Sequence, residues 1–219
     1  MKGGEFLLSA SSSVFSPELF TEEHRAVAKT ARQFWENEVV PHLPQVHKQD
    51  FALLKKLVRK SAELGLTGVL VPEEYGGMEM DLTSMMIVAQ ELSRDGSYAV
   101  CHGAQTGIGA LPLLLFGSAE QKATYLPRMI SGEWTGTMNL TEPQAGSDLG
   151  QLKSRAVKDG DHYKITGQKI FITYGEHDLT ENIVHLVLAR TPDAPAGVRG
   201  ISLFIVPKFL PGADGKPGK

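Results

Sequence analysis

Along the first 130 residues, apolar side chains recur every three or four positions, which is the spacing of one face of an α-helix. The earliest such face holds Val27, Ala31 and Phe34. It follows Ser16-Pro17-Glu18, a combination of capping hydroxyl, first-turn proline and acid. This pattern predicts that a helix begins at Ser16-Pro17.

Two aspartates mark further helix starts. Asp50 and Asp81 each precede an apolar stripe and can cap its first turn. Gly65 and Gly96 stand where these two stripes stop, and glycine commonly ends helices. The spacing therefore predicts helices over residues 50–65 and 81–96.

The next segment is apolar on every side. Residues 102–116 show no polar face, which favours a buried helix. Ser118 and Gln121 then form a capping box for a fifth helix, which Pro127 is expected to end or kink.

After Gly132 the apolar positions alternate with polar ones, which is the period of a half-buried strand. Asp159-Gly160 lies between two such runs and predicts a hairpin. The alternating positions are Tyr163, Ile165, Ile170, Ile172, Val184, Leu186, Leu188, Ile201, Leu203 and Ile205. Helices followed by strands indicate an α+β fold, with a helical bundle before an antiparallel, barrel-like β domain.

Composition narrows the functional classes. The chain has 219 residues with 22 Lys+Arg and 25 Asp+Glu, a formal net charge of −3, which argues against nucleic-acid binding. One cysteine, Cys101, cannot form an internal disulfide. The run Leu111–Phe116 falls far short of the ~20 apolar residues of a membrane span, and Phe6-Leu7-Leu8 is too short for a secretory signal. We therefore expect a cytoplasmic protein with no transmembrane segment.

Two segments carry candidate chemistry. Residues 138–148 run from a strand into a proline turn and a turn of small residues with hydroxyl and carboxylate groups. In residues 165–173, Phe171 and Thr173 lie two positions apart, so on a strand both face the same side. A ring to pack on and a hydroxyl to donate suit a flat heteroaromatic ligand. Taken alone, either segment is better explained as an ordinary half-buried strand.

Together these segments resemble the acyl-CoA dehydrogenase family. Leu-Thr-Glu-Pro-x-Ala-Gly-Ser-Asp at 140–148 and Gly-Gln-Lys-x-Phe-Ile-Thr at 167–173 match its two flavin signatures. Val-Pro-Glu-Glu-Tyr-Gly-Gly at 71–77 and Gly-Ser-x-Glu-Gln-Lys at 117–122 match its helical domain. The resemblance covers roughly residues 20–206. Residues 175–182 and Lys2-Gly3-Gly4 are similar to longer, long-chain-type members.

The resemblance implies FAD as cofactor. Thr141 would then bond the pyrimidine side of the flavin, Thr173 its N5 atom, and Phe171 would pack beside the ring. Ser147 would lie near the cofactor phosphates and the acyl-CoA substrate. The full set of implied cofactor-binding residues is Met138, Leu140, Thr141, Ser147, Phe171, Ile172 and Thr173. No metal site is expected.

The resemblance also implies a domain plan. We expect an N-terminal extension (1–18), a helical domain (19–133), a middle β domain (134–206), either complete or incomplete, and a loop or disordered tail (207–219). The family's catalytic base is a glutamate in a C-terminal helical domain. We expect that domain to be absent, so that the chain is an inactive N-terminal fragment. Glu142 lies inside the flavin signature and is interpreted as structural, and no catalytic residue is nominated.

The implied reaction is α,β-dehydrogenation of an acyl-CoA to the trans-2-enoyl-CoA, as in fatty acid β-oxidation. An electron-transferring flavoprotein would accept the electrons, and the complete protein would be a homo-oligomer. Three alternatives stay open: a flavin-dependent oxidase or hydroxylase of the same fold, a non-catalytic acyl-CoA binding module, and a DNA-repair-associated relative. The charge of −3 argues against the last of these.

Overall fold

The structure, a computed structural model, describes residues 16–212 and 218. Its α-helices are α1 (Glu22–Phe34), α2 (Leu43–His47), α3 (Phe51–Glu63), α4 (Leu82–Leu92), α5 (Gly96–Gly103), α6 (Leu111–Phe116) and α7 (Ala119–Ile130). Its strands are β1 (Trp134–Asn139), β2 (Arg155–Asp159), β3 (His162–Thr166), β4 (Asn182–Ala189) and β5 (Ser202–Pro207). Lys2-Gly3-Gly4, most of the predicted 1–18 extension and part of the predicted 207–219 tail lie outside the described residues.

The first predicted helix start was wrong by a few residues. Ser16-Pro17-Glu18 begins only a short 3-10 turn, Pro17–Leu19. The helix α1 begins at Glu22 because Thr21 caps it: the Thr21 hydroxyl accepts the His24 backbone N–H, and the His24 ring accepts the Thr21 N–H. This reciprocal pair satisfies two otherwise unpaired donors.

The other predicted caps are confirmed. Asp50, Asp81 and Ser118 accept the backbone N–H three residues ahead and start α3, α4 and α7. Gly96 does not end α4, which stops at Leu92, but instead opens α5 behind the cap Asp95.

Pro127 does not end α7. The helix continues through it to Ile130. A proline inside a helix removes one backbone donor, and here the last turn is closed by the Ser131 N–H, which donates to the Pro127 carbonyl.

The apolar segment is helical but less buried than predicted. Helices α5 and α6 are joined by a π-helical stretch, Ala104–Ala110, into one helix from Gly96 to Phe116. Its far end is open to solvent, with Leu115 60% and Phe116 83% exposed. By length and composition this helix could cross a membrane, but the core helix of a soluble protein meets the same two criteria.

The fold class is confirmed as a helical domain followed by a β domain. Strand β4 is central, pairing with β1 on one side and β5 on the other, and β2 and β3 form the predicted hairpin around Gly160. One detail differs from the antiparallel expectation: β1 and β4 run parallel, because the long connection through residues 140–181 returns the chain to the start of β1. Among the described residues the sheet does not close into a barrel.

The helical half of the chain contacts the β half where the π-helical stretch Ala104–Ala110 approaches β1. A Cβ atom on Gly109 would lie 2.6 Å from the Gly136 carbonyl carbon, so the contact requires glycine. The buried Gln105 amide donates to the Met129 and Trp134 carbonyls and accepts the Gly136 N–H at 2.7 Å. Gln105 therefore pairs the Trp134 carbonyl and the Gly136 N–H on the edge of β1 that faces away from β4. These hydrogen bonds fix the strand against the helical half.

Lowering the pH is expected to destabilise the fold through His102. Burial lowers the pKa of this imidazole from 6.5 to about 4. The unfolded chain therefore takes up the proton first, and the stability present above pH 6.5 is lost as the pH falls toward 4. Between pH 7 and pH 5, the protonation of His102 is expected to lower the free energy of unfolding by about 2 kcal/mol. Urea unfolding at the two pH values measures this loss.

The variant His102→Leu is the control for this effect. The His102 Nδ1 atom has no hydrogen-bond partner in the described chain, so leucine leaves no newly unpaired group. Between pH 7 and pH 5, the free energy of unfolding of the variant should fall by about 2 kcal/mol less than that of the unmodified chain. An identical pH dependence in both chains would contradict the assignment.

Candidate functional site

The two segments singled out in the sequence come together at the carboxyl end of β1. Residues 140–148 follow β1 directly, and residues 167–173 leave the β2–β3 hairpin and run alongside them. The Ile170 N–H donates to the Thr141 carbonyl at 3.0 Å, and the Thr137 hydroxyl donates to the Thr173 carbonyl at 2.6 Å. These bonds join residues that are about 30 positions apart in the sequence.

The prediction that Phe171 and Thr173 share one face of a strand is wrong. Strand β3 ends at Thr166, and Phe171 lies in a turn at φ 55°, in the left-handed region. The backbone leaves the hairpin at Gly167, where a Cβ atom would lie 2.1 Å from the Ser154 hydroxyl oxygen. The segment is therefore shaped by its neighbours and not by strand pairing.

The predicted site residues differ in exposure. Phe171 is 89% exposed, and Thr173 and Ser147 are also exposed. The other four are half-buried: Met138, Leu140, Thr141 and Ile172.

The donor set fits a flavin. Within the described chain, the hydroxyls of Thr141 and Thr173 have no hydrogen-bond partner, although their backbone carbonyls do. Both hydroxyls can therefore hydrogen-bond a ligand, while the hydrogen bonds to the Thr141 and Thr173 carbonyls keep the backbone in place. The ring of Phe171, in the same segment as Thr173, presents an open apolar face. One aromatic face and two available hydroxyls are what a planar, nitrogen-containing ring system needs.

Glu142 accepts four hydrogen bonds near the site. Its buried carboxylate accepts hydrogen bonds from the side chains of Lys169 (2.8 Å) and Gln144 (2.6 Å). It also accepts the backbone N–H groups of Lys153 (2.7 Å) and Ser154 (3.0 Å). Burial alone would raise its pKa, but the hydrogen bonds from Lys169, Ser154 and the backbone outweigh it and lower the pKa to about 2. This agrees with the interpretation of Glu142 as structural.

Arg190 holds the loop that carries Ser147. Its guanidinium donates to the Gly150 carbonyl at 3.2 Å and to the Leu152 carbonyl at 3.0 Å. The Asp148 carboxylate accepts the Gly150 N–H and caps the turn that follows. The role of Arg190 was not predicted, since a single arginine at the end of a strand carries no sequence signal for carbonyl binding.

Tyr174 anchors the far side of the site to the helical half. It lies at φ 64°, and its side chain packs against the core formed by α1, α3, α4 and α5. Burial raises the pKa of its phenol. Its ring also lies 4.2 Å from the ring of His177, which contacts the Thr135 hydroxyl.

Two family models match the chain. Residues 21–133 match "Acyl-CoA dehydrogenase, N-terminal domain", and residues 137–217 match "Acyl-CoA dehydrogenase, middle domain". The chain belongs to the acyl-CoA dehydrogenase family.

Individual relatives agree with this. A probable acyl-CoA dehydrogenase of Bacillus subtilis is 40% identical over 220 residues, covering 99% of this chain and 36% of its own length. The 3-methylmercaptopropionyl-CoA dehydrogenase of Ruegeria pomeroyi is 53% identical over 158 residues, covering 70% of this chain and 26% of its own.

Solved structures of acyl-CoA dehydrogenases share the fold. The crystal structure of the Bacillus anthracis enzyme complexed with FAD superposes with a TM-score of 0.83 at 38% identity. It covers 95% of this chain and 36% of its own. A glutaryl-CoA dehydrogenase from Mycobacterium smegmatis, in complex with FADH2, superposes with a TM-score of 0.74 at 27% identity.

This chain spans only about a quarter to a third of the length of these two curated relatives. The domain limits predicted from the sequence, and the assignment of single residues to the flavin, stay predictions.

Replacing Glu142 by glutamine is expected to destabilise the chain by about 3 kcal/mol, because Lys169 is left as an unpaired buried charge. Glutamine also cannot accept with both side-chain atoms, so one backbone N–H loses its partner. Urea unfolding at pH 7 measures the loss. The group's low pKa means that its contribution is present above pH 4.5 and is lost as the pH falls toward 2.

The double variant Glu142→Gln, Lys169→Met is the matched comparison. It removes the unpaired charge and should recover part of the loss. Equal stability of the single and double variants would show that the ion pair does not hold these segments together.

Proposed function

We propose that this chain takes part in FAD-dependent α,β-dehydrogenation of an acyl-CoA thioester to the trans-2-enoyl-CoA. The observation that carries the proposal is the junction at the end of β1. There, two separate segments with family flavin signatures are bonded together, and the Thr141 and Thr173 hydroxyls are left available. When bound, FAD would accept the hydride from the substrate β-carbon.

The chain's own residues would bind and orient the flavin and the acyl-CoA. Thr141 would donate to the pyrimidine side of the flavin, and Thr173 would donate to its N5 atom. Phe171 would cover one side of the ring and exclude water from it. Ser147, on the loop held by Arg190, would contact the phosphates of the cofactor and the acyl-CoA.

The proton must leave the α-carbon by another route. A general base works best with a pKa near the operating pH, within hydrogen-bond reach of the proton it removes. Glu142 meets neither requirement, because its pKa is lowered to about 2 and its oxygens are occupied by four donors. We therefore propose that the base is not supplied by this site.

The 219-residue chain loaded with FAD is expected to be inactive as a dehydrogenase. Without a positioned base, the α-proton of the substrate stays in place and hydride transfer does not proceed. Stopped-flow absorbance measures bleaching of the flavin after an acyl-CoA is added. Bleaching at the rate of protein made from the complete reading frame would contradict the prediction and would place a base within residues 1–219.

Thr173→Val is expected to slow flavin reduction by acyl-CoA, measured in FAD-loaded protein made from the complete reading frame. Valine keeps the β-branched shape but cannot donate to N5. An unsatisfied partner costs about 1–3 kcal/mol, which corresponds to a slowing of roughly one to two orders of magnitude.

The control for this variant is Thr166→Val. Thr166 lies at the exposed end of β3, outside the matched flavin positions, and its replacement should change the rate little. Equal rates for the unmodified protein and Thr173→Val, with flavin fully bound in both, would remove Thr173 from the site.

The electron acceptor distinguishes the dehydrogenase from an oxidase. We propose an electron-transferring flavoprotein as acceptor. A chain from a structure described as the electron transferring flavoprotein of Acidaminococcus fermentans matches 91% of this chain at 35% identity, with a TM-score of 0.76. The prolyl acyl carrier protein oxidase AnaB, at 30% identity and a TM-score of 0.75, favours the oxidase alternative. Reoxidation of the reduced flavin by O₂ as fast as by an electron-transferring flavoprotein would support the oxidase.

A non-catalytic acyl-CoA binding module is a separate alternative. It predicts that purified protein carries no flavin and that acyl-CoA affinity does not depend on Thr173. Absorbance of the purified protein near the flavin bands tests the first point directly.

A further inference from the structure

Thr137 contacts the site although it lies in none of the matched flavin positions. It is on β1, its side chain is fully buried, and its hydroxyl donates to the Thr173 carbonyl at 2.6 Å. Thr173 itself is exposed, and its own hydroxyl has no partner in the described chain. One threonine therefore holds the backbone of the other and leaves its side chain available.

The segment around Thr173 needs such support. Phe171 and Tyr174 both have left-handed backbone, at φ 55° and 64°, which is unfavourable for residues with side chains. Conformations of this kind persist only where the surroundings over-determine them. Before Thr173 the Ile170 N–H donates to the Thr141 carbonyl, and after it the partly buried ring of Tyr174 packs against the helical core.

The bond from Thr137 lies between these two supports. Side chains alternate along β1, so Thr135 and Thr137 point to the same face. Thr135 contacts His177 at 3.2 Å and Thr180 at 3.1 Å, further along the same segment. The face of β1 that carries Thr135 and Thr137 therefore hydrogen-bonds residues 173–180 at successive points. The bond from Thr137 is the one made to Thr173.

We propose that Thr137 is a positioning residue, which sets the direction of the Thr173 hydroxyl toward flavin N5 by fixing the Thr173 carbonyl. The inference rests on the proposed function. A hydroxyl donor is effective only in a narrow geometry, so a small rotation of the Thr173 backbone would misdirect it. Thr137 would act through Thr173 and touch neither flavin nor substrate.

The test compares Thr137→Val and Thr137→Ser in FAD-loaded protein made from the complete reading frame. Valine keeps the shape and removes the donor, whereas serine keeps the donor. The control is Thr67→Val, which removes a buried threonine hydroxyl of the same kind: Thr67 donates to the Ile130 carbonyl in the helical half. Thr137→Ala replaces the valine variant if that variant does not fold.

Three quantities are measured for each variant: the rate of flavin reduction by acyl-CoA, the dissociation constant of FAD, and the visible spectrum of the bound flavin. We expect Thr137→Val to slow reduction by roughly tenfold or more and to shift the flavin spectrum. Thr137→Ser should restore both. Thr67→Val should lower the melting temperature but leave the rate and the spectrum unchanged.

Two negative results have different meanings. Thr137→Val with the rate, spectrum and FAD affinity of the unmodified protein, while Thr173→Val is impaired, would overturn the role of Thr137 alone. Unmodified protein whose flavin no acyl-CoA reduces would overturn the proposed function. In that case the FAD affinity and spectrum of the Thr137 variants still decide whether Thr137 positions Thr173 toward the cofactor.

Discussion

The site depends on one buried ion pair. Glu142 and Lys169 belong to different segments, and their contact at 2.8 Å lies in the interior between them. The same carboxylate accepts two backbone N–H groups at the entry to β2, and the Lys169 ammonium also reaches the Leu140 carbonyl. A buried pair is stabilising only when its remaining hydrogen-bonding capacity is used, and here both partners are satisfied by backbone they hold in place.

Around this pair, the site is built from loops that a rigid strand supports. Strand β1 is held on its open edge by Gln105 from the helical half and on the other edge by β4. Its polar face then fixes the segment after β3 through Thr137. Functional side chains in many proteins lie on loops that a rigid scaffold positions, and left-handed residues such as Phe171 are tolerated for the same reason.

The groups of the site are of two kinds, those left available and those committed to structure. The described residues provide available hydroxyls, an exposed ring and a fixed backbone, which are groups of the kind that can hold a planar ligand. The Glu142 carboxylate is held by four hydrogen bonds, and its lowered pKa makes it a weak base. The available groups therefore lie beside a carboxylate that is already fully hydrogen-bonded, which is the division of roles on which the proposed function rests.

The sequence by itself determined the elements whose causes are local. The caps Asp50, Asp81 and Ser118, the hairpin at Gly160 and the two sequence motifs of the family depend on residues within a few positions of each other. Tertiary structure decided what depends on distant partners. The parallel pairing of β1 with β4, the exposed end of the helix at Phe116, and the turn at Phe171 in place of a strand are examples. An alternating pattern of apolar residues predicts that one face of a segment is buried. It does not predict which strand that segment pairs with. The backbone of residues 167–173 follows contacts with Ser154, Glu142 and Thr137 that only the folded chain brings together.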